Sequence, residues 1–132
     1  MFQSNLKTAN ACIHYVQKFS GPDIVWCPGG DQIGEEWEEQ FNLFPDFLNT
    51  SFDPRGAGKT ISFKKPPWSI NTYAHDLAEL IKNVCDPPVI IIGLSMGALI
   101  VQEILLKFPE LCRFGIAMGT SGEKSGFIHE WE

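Results

Sequence analysis

A chain of 132 residues that is 44% hydrophobic and free of low-complexity sequence is long enough to bury one real core and too short for several domains. Its ten Lys and Arg, against sixteen Asp and Glu, give a net charge of −6 and stand singly or as the pair Lys64-Lys65. No basic stripe is therefore available for nucleic acid or an anionic membrane surface, and the longest uncharged apolar run, Val89 to Val101, is too short to cross a bilayer.

The opening residues, Met1 to Asn10, lack the apolar segment of a secretory leader. Cys12, Cys27, Cys85 and Cys112 form no C-x-x-C pair and have no histidine at zinc spacing. The expectation is free thiols in a soluble, cytoplasmic protein, with no metal and no cofactor.

The first predicted strand is Ala11 to Gln17, followed by a Gly21-Pro22 turn and a second strand at Asp23 to Cys27. His14 falls inside the first strand, where a packed or edge residue is the expectation rather than a catalyst. A glycine-rich loop, Pro28-Gly29-Gly30-Asp31-Gln32-Ile33-Gly34, leaves the second strand and leads into a helical stretch from Glu35 to Phe41. Trp37 and Phe41 there face inward at i, i+4, and the glutamates around them form a solvated face.

A short strand at Thr50 to Phe52 ends in Asp53-Pro54-Arg55-Gly56-Ala57-Gly58-Lys59-Thr60. The terminal Gly-Lys-Thr is what a phosphate loop presents, but that motif needs glycine where Asp53 stands, and the Pro66-Pro67 pair argues against a following helix. Nucleotide binding is not expected. Ser69 is a suitable N-cap for a helix over Ile70 to Val84 with an apolar stripe of Ile70, Tyr73, Leu77, Leu80, Ile81 and Val84. His75, Asp76, Glu79 and Lys82 fall off that stripe and are expected to face solvent.

The continuous β-branched run Val89 to Ile92 reads as a strand with both faces covered. Gly93-Leu94-Ser95-Met96-Gly97 then fits G-x-S-x-G, and Ala98 to Phe108 is helical, stopping at Pro109. Composition alone would produce the five-residue pattern in about one chain in twenty of this length. Strand, tight turn and helix in succession are what give it meaning. A serine on such a turn stands clear of the sheet edge, glycines two before and two after it remove colliding Cβ atoms, and the helix start points free N–H groups at the reaction centre. Ser95 is thus the candidate nucleophile, the Met96 N–H one oxyanion donor, and the N–H of Gly30, from the upstream glycine loop, the second. Arg113 to Met118 is a further strand, Gly119 to Gly122 a loop, and Glu123 to Glu132 the start of a helix.

With strand, glycine loop, D-x-R-G-x-G segment, helix, elbow and further strand in that order, the sequence closely resembles the α/β-hydrolase superfamily. The likeness is to the branch of esterases, proline iminopeptidase-like enzymes and related cap-bearing hydrolases. Cys27-Pro28-Gly29-Gly30 occupies the place of that family's His-Gly oxyanion segment, with Pro28 where histidine is usual. Trp37 matches a tryptophan often found shortly after it, and Asp53, Arg55, Gly56 and Gly58 match the D-x-R-G-x-G turn.

The resemblance implies an α/β fold, a mostly parallel, doubly wound sheet truncated after about the sixth strand. Residues 1–132 would be the N-terminal part of a hydrolase core, the last ten the start of a cap segment. The implied activity is hydrolysis of an ester, in preference to an amide, in a small-molecule substrate. The family's acid and histidine normally follow later strands, beyond Glu132. Of His14, His75 and His129, none has a persuasive route to Ser95, His129 being the least improbable, and Glu123 is the one carboxylate worth naming as a misplaced acid. The open sheet edge is expected to be covered by a missing C-terminal half, a second subunit or self-association.

Overall fold

The β-branched run at Val89–Leu94 forms β6, bonded in parallel on one side to β3 (Asp23–Cys27) and on the other to β7 (Cys112–Met118) in the computed structural model, which describes residues 1–119. Ile24 lies opposite Ile90 and Cys27 opposite Gly93, so the carboxyl ends of β3 and β6 finish together. β4 (Leu48–Phe52) runs parallel to β3 on its far side. Beyond it the sheet turns antiparallel: β2 (Ala11–Lys18) pairs with β4, β1 (Phe2–Lys7) with β2, and the two-residue β5 (Ile61–Ser62) also with β2. The order is β1-β2-β4-β3-β6-β7, with β5 off that path.

Alternation along each strand sends successive side chains to opposite faces, and both faces of the central strands are covered. On one face Ile13, Val25, Phe52 and Ile91 meet α2 (Ile70–Val84) and α3 (Met96–Lys107) through Leu77, Ile81, Ile100 and Ile104. On the other, Val16, Ile24, Trp26 and Ile92 are roofed by Trp37 and Phe41, which lie on a 3₁₀ turn (Gly34–Trp37) and the single-turn α1 (Glu38–Phe41). Trp26 and Trp37 stack with ring centroids 5.3 Å apart. Lys18 ties α1 to β2 through a 2.9 Å bond to Glu38 and draws that carboxyl below its ordinary range. The doubly wound α/β arrangement expected from the sequence is therefore present.

Three local differences have physical reasons. Phe2–Lys7 pairs along its length with β2, although its residues are mostly exposed and show no apolar alternation. The expected Thr50–Phe52 strand begins two residues earlier at Leu48, because its pairing with β3 extends down to Asp23. Asp76, expected on the solvent face of α2, is buried: Arg55 meets it side-on, Nε to Oδ2 at 2.7 Å and Nη2 to Oδ1 at 2.9 Å. His75, Glu79 and Lys82 are exposed as expected. Ser69 Oγ accepts the Thr72 N–H and caps α2.

Candidate active site

The turn from β6 into α3 places Ser95 at φ 58°, ψ −116°, a conformation that a side chain with a Cβ seldom adopts. Two contacts hold it there. The Ser95 N–H donates to the Met118 carbonyl at the end of β7, 2.9 Å away, and the Ser95 carbonyl accepts the first helical bond from the Ala98 N–H at 3.0 Å. The Ser95 hydroxyl makes no capping bond to its own helix, and the residue is part-exposed.

The flanking glycines are dictated by close approach. A Cβ on Gly93 would stand 2.3 Å from the Gly97 carbonyl oxygen, and one on Gly97 would stand 2.1 Å from that of Cys27. Neither neighbour is a side chain that could swing away, so both positions exclude every residue but glycine. Through the second contact the start of α3 rests directly on the end of β3, and the glycine loop emerges beside the serine. A Cβ on Gly29 would lie 3.7 Å from Ser95 Cβ.

Within that loop the Gly29 N–H donates to Gln32 Oε1 at 2.8 Å, and the Gln32 N–H donates back to the Gly29 carbonyl at 3.2 Å. Gly29 is thereby satisfied. Gly30, at the tip of the turn, has no such bond among the described residues, and neither does Met96, whose N–H belongs to the first, unpaired turn of α3. The two N–H groups expected as oxyanion donors thus sit on the two segments that flank Ser95.

The loop is anchored from below by Asp53, whose Oδ1 accepts the Gly34 N–H and Oδ2 the Lys59 N–H, each at 2.8 Å. Gly58, at φ 52°, is needed because a Cβ there would stand 2.1 Å from Asp53 Oδ2. The D-x-R-G-x-G segment is thus a brace: its aspartate holds the exit of the glycine loop and its arginine holds α2.

The two histidines among the described residues are elsewhere. His14 is buried in β2, Nδ1 3.2 Å from Asn5 Oδ1, three strands and hence roughly 14 Å across the sheet from β6. His75 lies edge-on to Phe108 with centroids 5.1 Å apart, on the exposed side of α2. His129, Glu123 and the proposed cap start, Glu123 to Glu132, lie outside the described residues. Cys27, the nearest buried thiol to the turn, is held far above the usual thiol range by burial and is no rival nucleophile. Burial likewise raises Cys85 to about 12. No group of three or more His, Cys, Asp and Glu able to hold a metal occurs among the described residues.

Residues 22–132 match the family model described as alpha/beta hydrolase fold. The chain belongs to the α/β-hydrolase family. This hydrolase chain is 31% identical over 113 residues to BpoC of Mycobacterium tuberculosis, provisionally named a non-heme bromoperoxidase, covering 82% of the chain and 42% of that protein. It is 29% identical over 98 residues to 3-oxoadipate enol-lactonase 2 of Acinetobacter baylyi, covering 73% and 36%. Among solved structures it matches a provisionally assigned epoxide hydrolase from Pseudomonas aeruginosa at a TM-score of 0.83 and 21% identity, over 91% of the chain and 41% of that structure, a likeness of fold. The chain spans about two fifths of the length of these relatives. Among the described residues no helix is long and apolar enough to cross a membrane.

Gln32 and Asp76 are the two residues at or behind this site that sequence reasoning missed. Asp76 gave no local signal, because Arg55, which buries it, stands 21 positions away. Gln32 had none beyond being a polar residue at the end of a glycine turn.

Proposed function

We propose that this chain carries the nucleophile and oxyanion hole of a serine hydrolase acting on an ester, in preference to an amide, of a small-molecule substrate. The observation that carries the reading is Ser95 held at positive φ between β6 and α3 with its hydroxyl unengaged by the helix. Backbone strain of this kind costs of order 1–3 kcal/mol and persists where the surroundings impose it.

In the proposed reaction Ser95 Oγ attacks the ester carbonyl carbon and gives its proton to a base. The carbonyl oxygen, now negative, takes hydrogen bonds from the Gly30 and Met96 N–H groups. As the tetrahedral species collapses, the alkoxide leaves with that proton, and water later hydrolyses the acyl-serine. The name of the A. baylyi relative, a lactonase, agrees with an ester-type substrate, a lactone being a cyclic ester. The base and acid come, in this proposal, from residues beyond this chain, and the edge of β7, unpaired among the described residues, is covered by further polypeptide. The four free thiols fit a cytoplasmic setting.

A second reading is a hydrolase-like module whose elbow is architectural only. It is favoured by the placement of His14 and His75 away from Ser95. Aryl-ester hydrolysis by the purified chain, with and without added imidazole as an external base, separates the two. The hydrolase reading expects an imidazole-dependent rate in excess of that with Ser95→Ala, in which only imidazole's own reaction with the ester remains. A rate equal to that of the Ser95→Ala variant at every imidazole concentration supports the second.

A further inference from the structure

The turn that carries Gly30 is closed twice by one residue. The Gln32 N–H donates to the Gly29 carbonyl, the ordinary closure of a four-residue turn, and Gln32 Oε1 reaches back to accept the Gly29 N–H at 2.8 Å. Gly29 is buried and Gly30 only partly so. Without the Gln32 side chain the Gly29 N–H would be a buried donor facing the turn with no partner, and the Gly29–Gly30 peptide, between two glycines, would be held only by the 3.2 Å bond from the Gln32 N–H to its carbonyl. The same segment lies against the nucleophile turn: a Cβ on Gly29 would be 3.5 Å from the Leu94 carbonyl oxygen and 3.7 Å from Ser95 Cβ.

We infer that Gln32 is a positioning residue for the oxyanion hole. Its side-chain carbonyl takes up the Gly29 N–H while its backbone N–H holds the Gly29 carbonyl, so that the doubly closed turn presents the Gly30 N–H, and not the Gly29 N–H, to the oxygen that becomes negative during attack by Ser95. This rests on the reading of Ser95 as nucleophile. Donors of this kind act by being aimed in advance at the charge that develops, so a loosened Gly30 peptide slows the bond-forming step while leaving the preceding encounter alone.

The test is inactivation of the full chain by an alkyl fluorophosphonate, in which Ser95 Oγ bonds to phosphorus, fluoride leaves, and the hydroxyl proton passes to buffer or added imidazole. Gln32→Leu, close in size but without the acceptor, is expected to lower the maximal inactivation rate at least tenfold. The concentration giving half-maximal rate should move less than twofold, and the variant should stay folded, with its melting temperature lowered only by the few degrees that one unpaired buried donor costs. Amide exchange at Gly29 should speed up in the same variant. Gln32→Glu, which keeps an acceptor oxygen, should restore slow exchange at Gly29. Ser95-dependent inactivation at an unchanged maximal rate in Gln32→Leu overturns the inference alone. Equal labelling of Ser95→Ala and the unaltered chain removes the nucleophile reading, and the inference with it.

Discussion

Of the glycine-rich turns that follow strands in this chain, those after β4 and β6 spend their backbone donors in opposite ways. After β4, Asp53 takes up the Lys59 N–H of its own turn and the Gly34 N–H of the neighbouring loop, the Ala57 N–H donates to the Pro54 carbonyl at 3.0 Å, and the Thr60 hydroxyl donates to the Asp53 carbonyl at 2.6 Å. After β6, no side chain turns back on the helix start. Ser95 is part-exposed, and the Met96 and Gly97 N–H groups have no partner among the described residues. Gly56 and Gly58 serve a closed brace, Gly93 and Gly97 an open site. Glycine count and spacing alone do not separate a binding loop from a structural one. What separates them is whether a local acceptor, here the Asp53 carboxylate, has already taken the donors.

The largest way to break the comparison is Gly97→Ala. Its Cβ would meet backbone on β3, so the expected loss of stability exceeds about 4 kcal/mol, or the protein fails to fold, in urea denaturation. A well-folded variant of near-normal stability would mean that α3 does not sit on β3 as described. Next is the brace. Arg55 and Asp76 are both buried and paired side-on, so Asp76→Ala leaves an uncompensated buried guanidinium and is expected to cost about 3–5 kcal/mol. Loss of less than about 1 kcal/mol would show that Arg55 finds water or another acceptor. The smallest effect has the opposite sign. Ser95→Gly relieves the positive φ and, after the entropy that glycine loses on folding, is expected to stabilise the chain by about 1 kcal/mol. A destabilised Ser95→Gly would deny that strain is stored at the turn.

The elements around the elbow were legible because their signals are local. A β-branched run, a G-x-S-x-G turn and a helix ended by proline each lie within a few residues, and the structure places them where periodicity and turn chemistry put them. Asp76 was not legible, because the residue that buries it stands 21 positions away on another loop, and a carboxylate beside an apolar stripe reads as solvent-facing until its partner is known. β1 was not legible either. Its FQSNLK sequence has no buried face to impose alternation, and it is a strand because β2 offers it an edge. At the site the serine could be read from sequence, but the Gln32 closure depends on a turn geometry that several sequences satisfy.

The most direct test of the central claim is peptide-mapped labelling of the full chain with a fluorophosphonate, followed by mass spectrometry. An adduct is expected on Ser95 in preference to the chain's other serines, formed faster as imidazole is added and absent from Ser95→Ala. Labelling spread over exposed serines with no preference for Ser95 at any imidazole concentration would contradict it.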